Sequence, residues 1–493
     1  MLSQRTQAIK DSLFAQPRQV TMERARLYME SYKETQGETS VTRRAKAFKH
    51  LLENHKIVLD NYDLLVGNRT DTPRAGVISP EMSPYWILDE LDKFPTRQQD
   101  RFEISEEDKT YYKEVLYPFW MNKSLNDWYK AHLAENLAEA QKTRIFSVAQ
   151  TDKGQGHIIC DFPLVLQNGF GALLAEAEQK LAQDGESDFY AAAVIVLKAT
   201  IAYVQRYEAE VLQARESASS ETRAQELERL AEILHHIATE PARDFYDALQ
   251  LTWITELVLQ HESSISLGRM DQYLAPFYEA SLAAGESSEF LRELIQCFYL
   301  KTNTIVFLRS TDSAQFFAGF PSGFNLVVGG VDSEGNDCTN ELSYLLLDVQ
   351  KDTRLPQPNL SLRMHKNTPE SLLEKSGEII RLGDGIPQVF NDEVNIASFM
   401  SRGVSEEDAR DYAVVGCVEL SIPGRMYGLH DISMFNMVRC LEITLERNPE
   451  GFDSFDGLKR AVKETIAEYV GLMVDGCNVC DQAHKETSPT PLL

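Results

Sequence analysis

The chain has little cysteine, an excess of acidic over basic charge, and no unbroken apolar run long enough to cross a bilayer. Seven cysteines (160, 297, 338, 417, 440, 477 and 480) in 493 residues are too few and too scattered for a disulfide scaffold, which favours a reducing, cytoplasmic setting. Forty-nine Lys and Arg against 75 Asp and Glu leave a net charge of -26. That balance opposes nonspecific binding to nucleic acid or to an anionic membrane. The longest apolar run, Ala191 to Val204, is broken by Lys198 and reads as a core helix. The first residues, MLSQRTQAIKDSLF, lack the apolar core and cleavage site of a signal peptide. The single C-x-x-C, Cys477 to Cys480, supplies two ligands at most. It closes neither a zinc nor an iron-sulfur site, and no residue set is assigned to a metal.

Residues 1 to about 60 read as charged helices punctuated by Pro17 and Gly37. Ser105 to Asp108 has the spacing of a capping box. From Phe189 to about Gln260 the pattern is again helical, with Val194, Leu197, Ile201, Val204 and Val211 on one stripe. Further on, short β-prone runs at 325–331, 359–364, 387–391 and 412–416 alternate with helical stretches. That alternation predicts βα units and a parallel sheet. A long helical region is expected from roughly Met434 to Met473.

The chemistry concentrates in Asp411 to Asp431, DYAVVGCVELSIPGRMYGLHD. Ser405 to Asp408 should start a helix that feeds the strand Tyr412 to Val415. Gly416 permits a sharp turn where that strand ends. If the chain stays extended, Cys417 and Glu419 point the same way. A carboxylate beside a thiol in apolar surroundings opposes thiolate formation. Such a thiol suits hydrogen-atom exchange, with Glu419 moving a proton nearby; as a bare residue, Cys417 fits equally well as a small buried hydrophobe. Pro423, Gly424 and Gly428 mark a turn that can return His430 and Asp431 to the same pocket. Thr151 to His157, TDKGQGH, has a glycine spacing that matches neither the Walker nor the dinucleotide pattern. Arg269 and Asp271 suggest a local ion pair.

Gly416-Cys417-Val418-Glu419, with Pro423-Gly424 and His430-Asp431, resembles the cysteine-loop signature of glycyl radical enzymes, the pyruvate formate-lyase-like superfamily. Matching stretches are TDKGQGH at 151–157, SLGRMDQY at 266–273, LPQPNLSLR at 355–363 and GIPQVFNDE at 385–393. Within the superfamily the chain is most similar to the formate acetyltransferase 2-like and glycerol dehydratase-like branch. The resemblance implies an α/β fold, a helix-wrapped ten-stranded barrel of two halves with the cysteine on a loop threaded into its centre. The whole of 1–493 then matches the pyruvate formate-lyase-like domain, about 1–260 as a helical wrapper and about 261–493 as barrel strands with the cysteine loop. Asn391 to Glu393 would support the interior by hydrogen bonds.

By the same resemblance Cys417 relays the radical, Glu419 takes a proton from the substrate, and His157 and Asp431 act on the leaving group. Ser264 contacts a substrate hydroxyl; Ser263 stands where several dehydratases carry histidine, and His430 lines the site. The 262–266 loop is shorter than in those relatives. No cofactor is bound in such enzymes. The radical sits on a C-terminal glycine, within an Arg-Val-x-Gly-aromatic context, and is installed by a radical-SAM activase. That context does not occur in this sequence. The expectation is therefore a fold truncated after its first half-barrel and cysteine loop, inactive alone, and a homodimer at full length, with a small-molecule substrate, no nucleic acid and no membrane. The reaction implied is dehydration or C-X cleavage of a small hydroxylated substrate. The alternatives are formate C-acetyltransferase, which requires a second cysteine where Val418 stands, and a noncatalytic remnant or split-enzyme subunit.

Overall fold

Helices open the chain because short polar side chains cap them. Ser3, Thr39, Ser105, Ser124, Ser187, Ser220 and Asp244 each accept a hydrogen bond from the backbone N–H three residues on, which satisfies a donor the helix itself leaves open. The computed structural model describes all residues except 149–155, 186, 262–263, 320–322, 427–429 and 491–493. Helix Asp188–Glu216 is 29 residues long and by length and composition is apolar enough to cross a bilayer. It packs instead against helices Ser40–Asn54, Glu221–Ile237 and Phe162–Asp184. Its buried positions are Ala192, Val196, Ala199, Thr200, Tyr203, Val204, Tyr207 and Val211; of the expected stripe Val204 and Val211 are buried, whereas Val194, Leu197 and Ile201 are half-buried. Tyr203 and Tyr207 share the core side with Val204 and Val211, and Leu197 and Ile201 pack at its margin. Helix Phe245–Gln260 is buried at every position, its polar residues included.

The expected βα units are present. Strands Asn325–Gly329, Asn359–Met364 and Gln388–Asn391 run parallel, with Leu326 opposite Leu360 and Leu362 opposite Val389. Helices Glu341–Thr353 and Glu370–Ile380 make the crossovers that parallel pairing requires. Parallel bridges between Gly268 and Leu326, and between Ile158 and Ile265, extend the sheet on its other side. Five parallel segments thus lie in chain order, at 158, 265–268, 325–329, 359–364 and 388–391.

Two expectations need correction, on the strand at 413–415 and on the partner of Arg269. Ala413–Val415 does not continue the parallel sheet; it forms an antiparallel hairpin with Glu419–Ser421, Val415 opposite Glu419. Gly416, at φ +55°, reverses the chain at once. The helical region expected from 434 to 473 is present as two helices that follow a short strand. Strand Ser433–Phe435 pairs with Phe146–Val148, followed by helix Met437–Arg447 and the 33-residue helix Phe455–Thr487. The break falls at NPEGFDS, where proline and glycine interrupt the helical pattern. Finally, Arg269 does not pair with Asp271. Its guanidinium lies 2.9 Å from Asp411 Oδ1, while Asp271 accepts from Gly329 N–H at 2.8 Å and Ser343 Oγ at 2.6 Å. The ion pair therefore ties two distant segments together.

One buried network braces the hairpin. Arg363, fully enclosed, makes two 2.9 Å hydrogen bonds to Asp392 and one of 2.8 Å to the Tyr412 carbonyl. The Tyr412 hydroxyl donates to Asp392 Oδ1 at 2.7 Å. Asp392 thus has the supporting role expected of it. Cys477 and Cys480 lie in the last helix, with Cys480 buried in a small core that includes Phe146 and Tyr469.

Candidate active site

Cys417 and Val418 form the tip of the hairpin begun at Gly416. The chain does not stay extended from Cys417 to Glu419, as the alternation argument supposed. Glu419 instead folds back under the turn, and its Oε2 accepts from the N–H groups of both Cys417 and Val418 at 3.0 Å. Its other oxygen, Oε1, lies 2.7 Å from His157 Nδ1. The carboxylate therefore holds the thiol-bearing turn and an imidazole together. Burial opposes ionisation of Glu419, but the hydrogen bond and charge of His157 and the backbone donors outweigh it, and the carboxyl is held down to about 2.

Close packing makes this junction possible. A Cβ on Gly416 would sit 2.2 Å from His157 Nδ1, so only glycine lets the imidazole lie against the turn. Gly416 N–H donates to Ser266 Oγ at 3.0 Å, and its carbonyl accepts from Asn325 Nδ2 at 3.2 Å. Ser266 Oγ in turn donates to the Gly323 carbonyl at 2.6 Å. A Cβ on Gly323 would stand 2.7 Å from Ser264 Oγ, 3.5 Å from Gly416 Cα and 3.9 Å from His157 Cδ2. Ser264 therefore borders the same space as His157 and the hairpin.

The Pro423-Gly424 turn returns the chain. Gly424 N–H donates to the Ile159 carbonyl at 3.0 Å, two residues beyond His157, and its missing side chain leaves room for Asp161. Asp431, at φ +59°, then joins the site. One ligand atom from each of His157, Glu419 and Asp431 falls within 4.8 Å of the others. His430 is half-buried beside them. Burial pushes its imidazole below the ordinary value; Glu419 and Asp431 act against that shift and His157 adds to it.

The structure thus brings together Cys417, Glu419, His157, Asp431, Ser264 and His430. Ser263, residues 151–155 and Gly428 lie outside the described residues. Sequence reasoning missed Ser266, Gly323 and Asn325, the residues that hold Gly416. Their only signal was position. Ser266 begins the SLGRMDQY stretch and Asn325 begins a strand, and neither carries chemistry that would single it out.

Known proteins resemble the chain in sequence and fold. The family described as pyruvate formate lyase-like matches residues 2–493. The (2S)-3-sulfopropanediol dehydratase of Klebsiella oxytoca is 32% identical over 526 aligned residues, covering 99% of this chain and 63% of that protein. The isethionate sulfite-lyase of Oleidesulfovibrio alaskensis is 32% identical, covering 89% of this chain and 56% of that protein. The glycerol-bound B12-independent glycerol dehydratase from Clostridium butyricum superposes with a TM-score of 0.97 at 35% identity, covering 100% of this chain and 65% of that one. The chain spans less than two thirds of the length of each of these relatives. By family match, sequence and fold alike, the chain belongs to the pyruvate formate lyase-like family.

Proposed function

We propose that this chain carries the thiol hairpin of a glycyl radical enzyme that removes water, or another leaving group, from the carbon beside a hydroxyl in a small hydroxylated substrate. The observation that supports this reading best is the double anchoring of Glu419, by the Cys417 and Val418 N–H groups at one oxygen and by His157 at the other. A glycyl radical, installed by a radical-SAM activase on polypeptide beyond this sequence, would supply the chemistry by taking the Cys417 hydrogen atom. Cys417 then takes hydrogen from the substrate carbon that bears a hydroxyl. Glu419, already ionised, accepts that hydroxyl's proton, which weakens the neighbouring C–O bond. The Glu419–His157 hydrogen bond gives the proton a path to the leaving hydroxyl, which Asp431 holds, and it departs as water. Cys417 finally returns its hydrogen to the product carbon. Ser264 orients a second hydroxyl. No acid or base need be drawn from solvent.

Acetyl transfer fits less well. Val418, 58% exposed at the turn, has no atom that can carry an acyl group. The test is anaerobic incubation of the chain with a radical-SAM activase and a glycyl-radical-bearing polypeptide that completes the relatives' length. Glycerol and propanediol should yield an aldehyde, and Cys417→Ala should abolish it. Acetyl-coenzyme A formation from pyruvate, or aldehyde formation undiminished by Cys417→Ala, would overturn the reading.

A further inference from the structure

We propose that Cys477 and Cys480 form a reversible dithiol–disulfide site, and that closing the disulfide loosens the strand that follows Asp431. Both thiols lie in helix Phe455–Thr487, three residues apart. In an α-helix that spacing puts the two Cα atoms about 5 Å apart, inside the roughly 4.4–6.8 Å that a disulfide spans. Their Cβ atoms start about 5–6 Å apart and must close to about 3.5–4.5 Å. One turn has to tighten. Gly476, the residue just before, gives that turn latitude, because glycine holds helical angles weakly.

The two thiols are unequally placed. Cys477 is partly exposed, whereas Cys480 is buried in the core that holds Phe146, Cys440 and Tyr469. An oxidant therefore meets Cys477 first. Burial holds the Cys477 thiol above its ordinary value, against a hydrogen bond from the Ser433 hydroxyl that favours the thiolate. Reaction is consequently slow at neutral pH and faster at alkaline pH. With a small-molecule disulfide as the oxidant, the Cys477 thiolate attacks one of its sulfurs, expels the other as a thiolate and becomes a mixed disulfide. The Cys480 thiolate then attacks the Cys477 sulfur and expels the second thiolate. The small disulfide is thereby reduced to two thiols, and the protein loses two hydrogens as its own S–S bond forms.

The position of this turn gives the bond a consequence. Ser433 stands two residues past Asp431 and opens the strand Ser433–Phe435, which pairs with Phe146–Val148. Gly476 packs against that second strand, where a Cβ on it would lie 3.3 Å from Val148 Cγ2. Tightening the turn takes the Cys477 sulfur from Ser433 and draws Cys480 away from Phe146. Both strands lose support together. In a reducing compartment such a disulfide is transient, as redox-responsive ones are.

No radical step is involved, so the dehydratase reading is tested separately. The folded chain is incubated with 2-hydroxyethyl disulfide at neutral and at alkaline pH, alkylated, and its peptides are mapped by mass spectrometry. The expected product is an intramolecular Cys477–Cys480 disulfide, formed faster at alkaline pH and reversed by dithiothreitol. Amide hydrogen exchange at 146–148 and 433–435 should rise at least several-fold in the oxidised chain. Cys480→Ala should stop at the mixed disulfide on Cys477, and Cys477→Ser should form no bond at either position. The parent's own peptide map decides the pairing if a variant does not fold. A parent that keeps both thiols, pairs either of them with Cys440, retains the adduct on Cys477, or oxidises with its hydrogen exchange unchanged overturns the proposal.

Discussion

Three residues at the site hold left-handed backbone angles: His157 at φ +52°, Gly416 at +55° and Asp431 at +59°. Such positions cost energy for any residue with a Cβ, and they persist where the surroundings enforce them. At 416 the demand is doubled, since a side chain there would also collide with the imidazole. Gly416→Ala should therefore destabilise the protein by about 1–3 kcal/mol and displace His157 from Glu419. Denaturant unfolding measures the first effect. The second should show as a change in the NMR chemical shifts of the His157 ring once the Glu419 contact is lost. A substitution that leaves both unchanged would mean that the turn relaxes without disturbing the site. Gly416 could be picked out from sequence as the residue that ends a strand. Its contact with an imidazole more than 250 residues upstream could not.

The helix Phe245–Gln260 shows what an element costs when it is buried on every side. Most of its polar groups are satisfied: Gln250 bonds both the N–H and carbonyl of Val66, and Thr252 and Thr255 bond back to carbonyls four residues earlier. Glu256 is fully enclosed, and one of its oxygens accepts from Gln260 at 2.8 Å. Burial raises its carboxyl from 4.5 to about 8, against the opposing effect of that hydrogen bond. The folded chain consequently keeps this proton where the unfolded chain has released it. The associated stability is complete below about pH 4.5 and is lost as pH rises toward 8. Glu256→Gln should be close to neutral at pH 5 and stabilising by about 2 kcal/mol at pH 8, as thermal or denaturant unfolding at the two pH values would reveal. Equal effects at both would mean that the carboxyl is ionised within the fold. The helix itself was legible from its apolar run, but nothing in that run showed that a glutamate would face inward.

At the scale of the whole molecule, exposed apolar side chains gather toward the end of the chain. Met437, Val438, Leu441 and Leu445 lie exposed along helix Met437–Arg447, with Met434 exposed just before it and Phe455 exposed after it. A charge of -26 disperses copies of the chain, yet an exposed apolar helix face favours association. Val438→Lys combined with Leu441→Lys should leave the fold intact and weaken self-association by roughly 10- to 100-fold. Sedimentation across a concentration series, repeated at high salt, checks this. Identical profiles for parent and variant would remove this face as a contributor.

The helical stretches, the βα alternation that gives a parallel sheet and the concentration of polar chemistry at 411–431 were already carried by local pattern, since period, capping and turn chemistry act between neighbours along the chain. The hairpin at Gly416 and the partnership of Arg269 with Asp411 were not. Each depends on which distant surface a segment packs against. The site shows the same division. Cys417 and Glu419 stand two residues apart, so their proximity follows from the chain itself. His157 meets Glu419 across 262 residues, because the 158 and 265–268 segments lie side by side in the sheet and the Gly424 turn closes over them. Covalent order specifies which groups are available, but long-range pairing and close packing decide which of them meet.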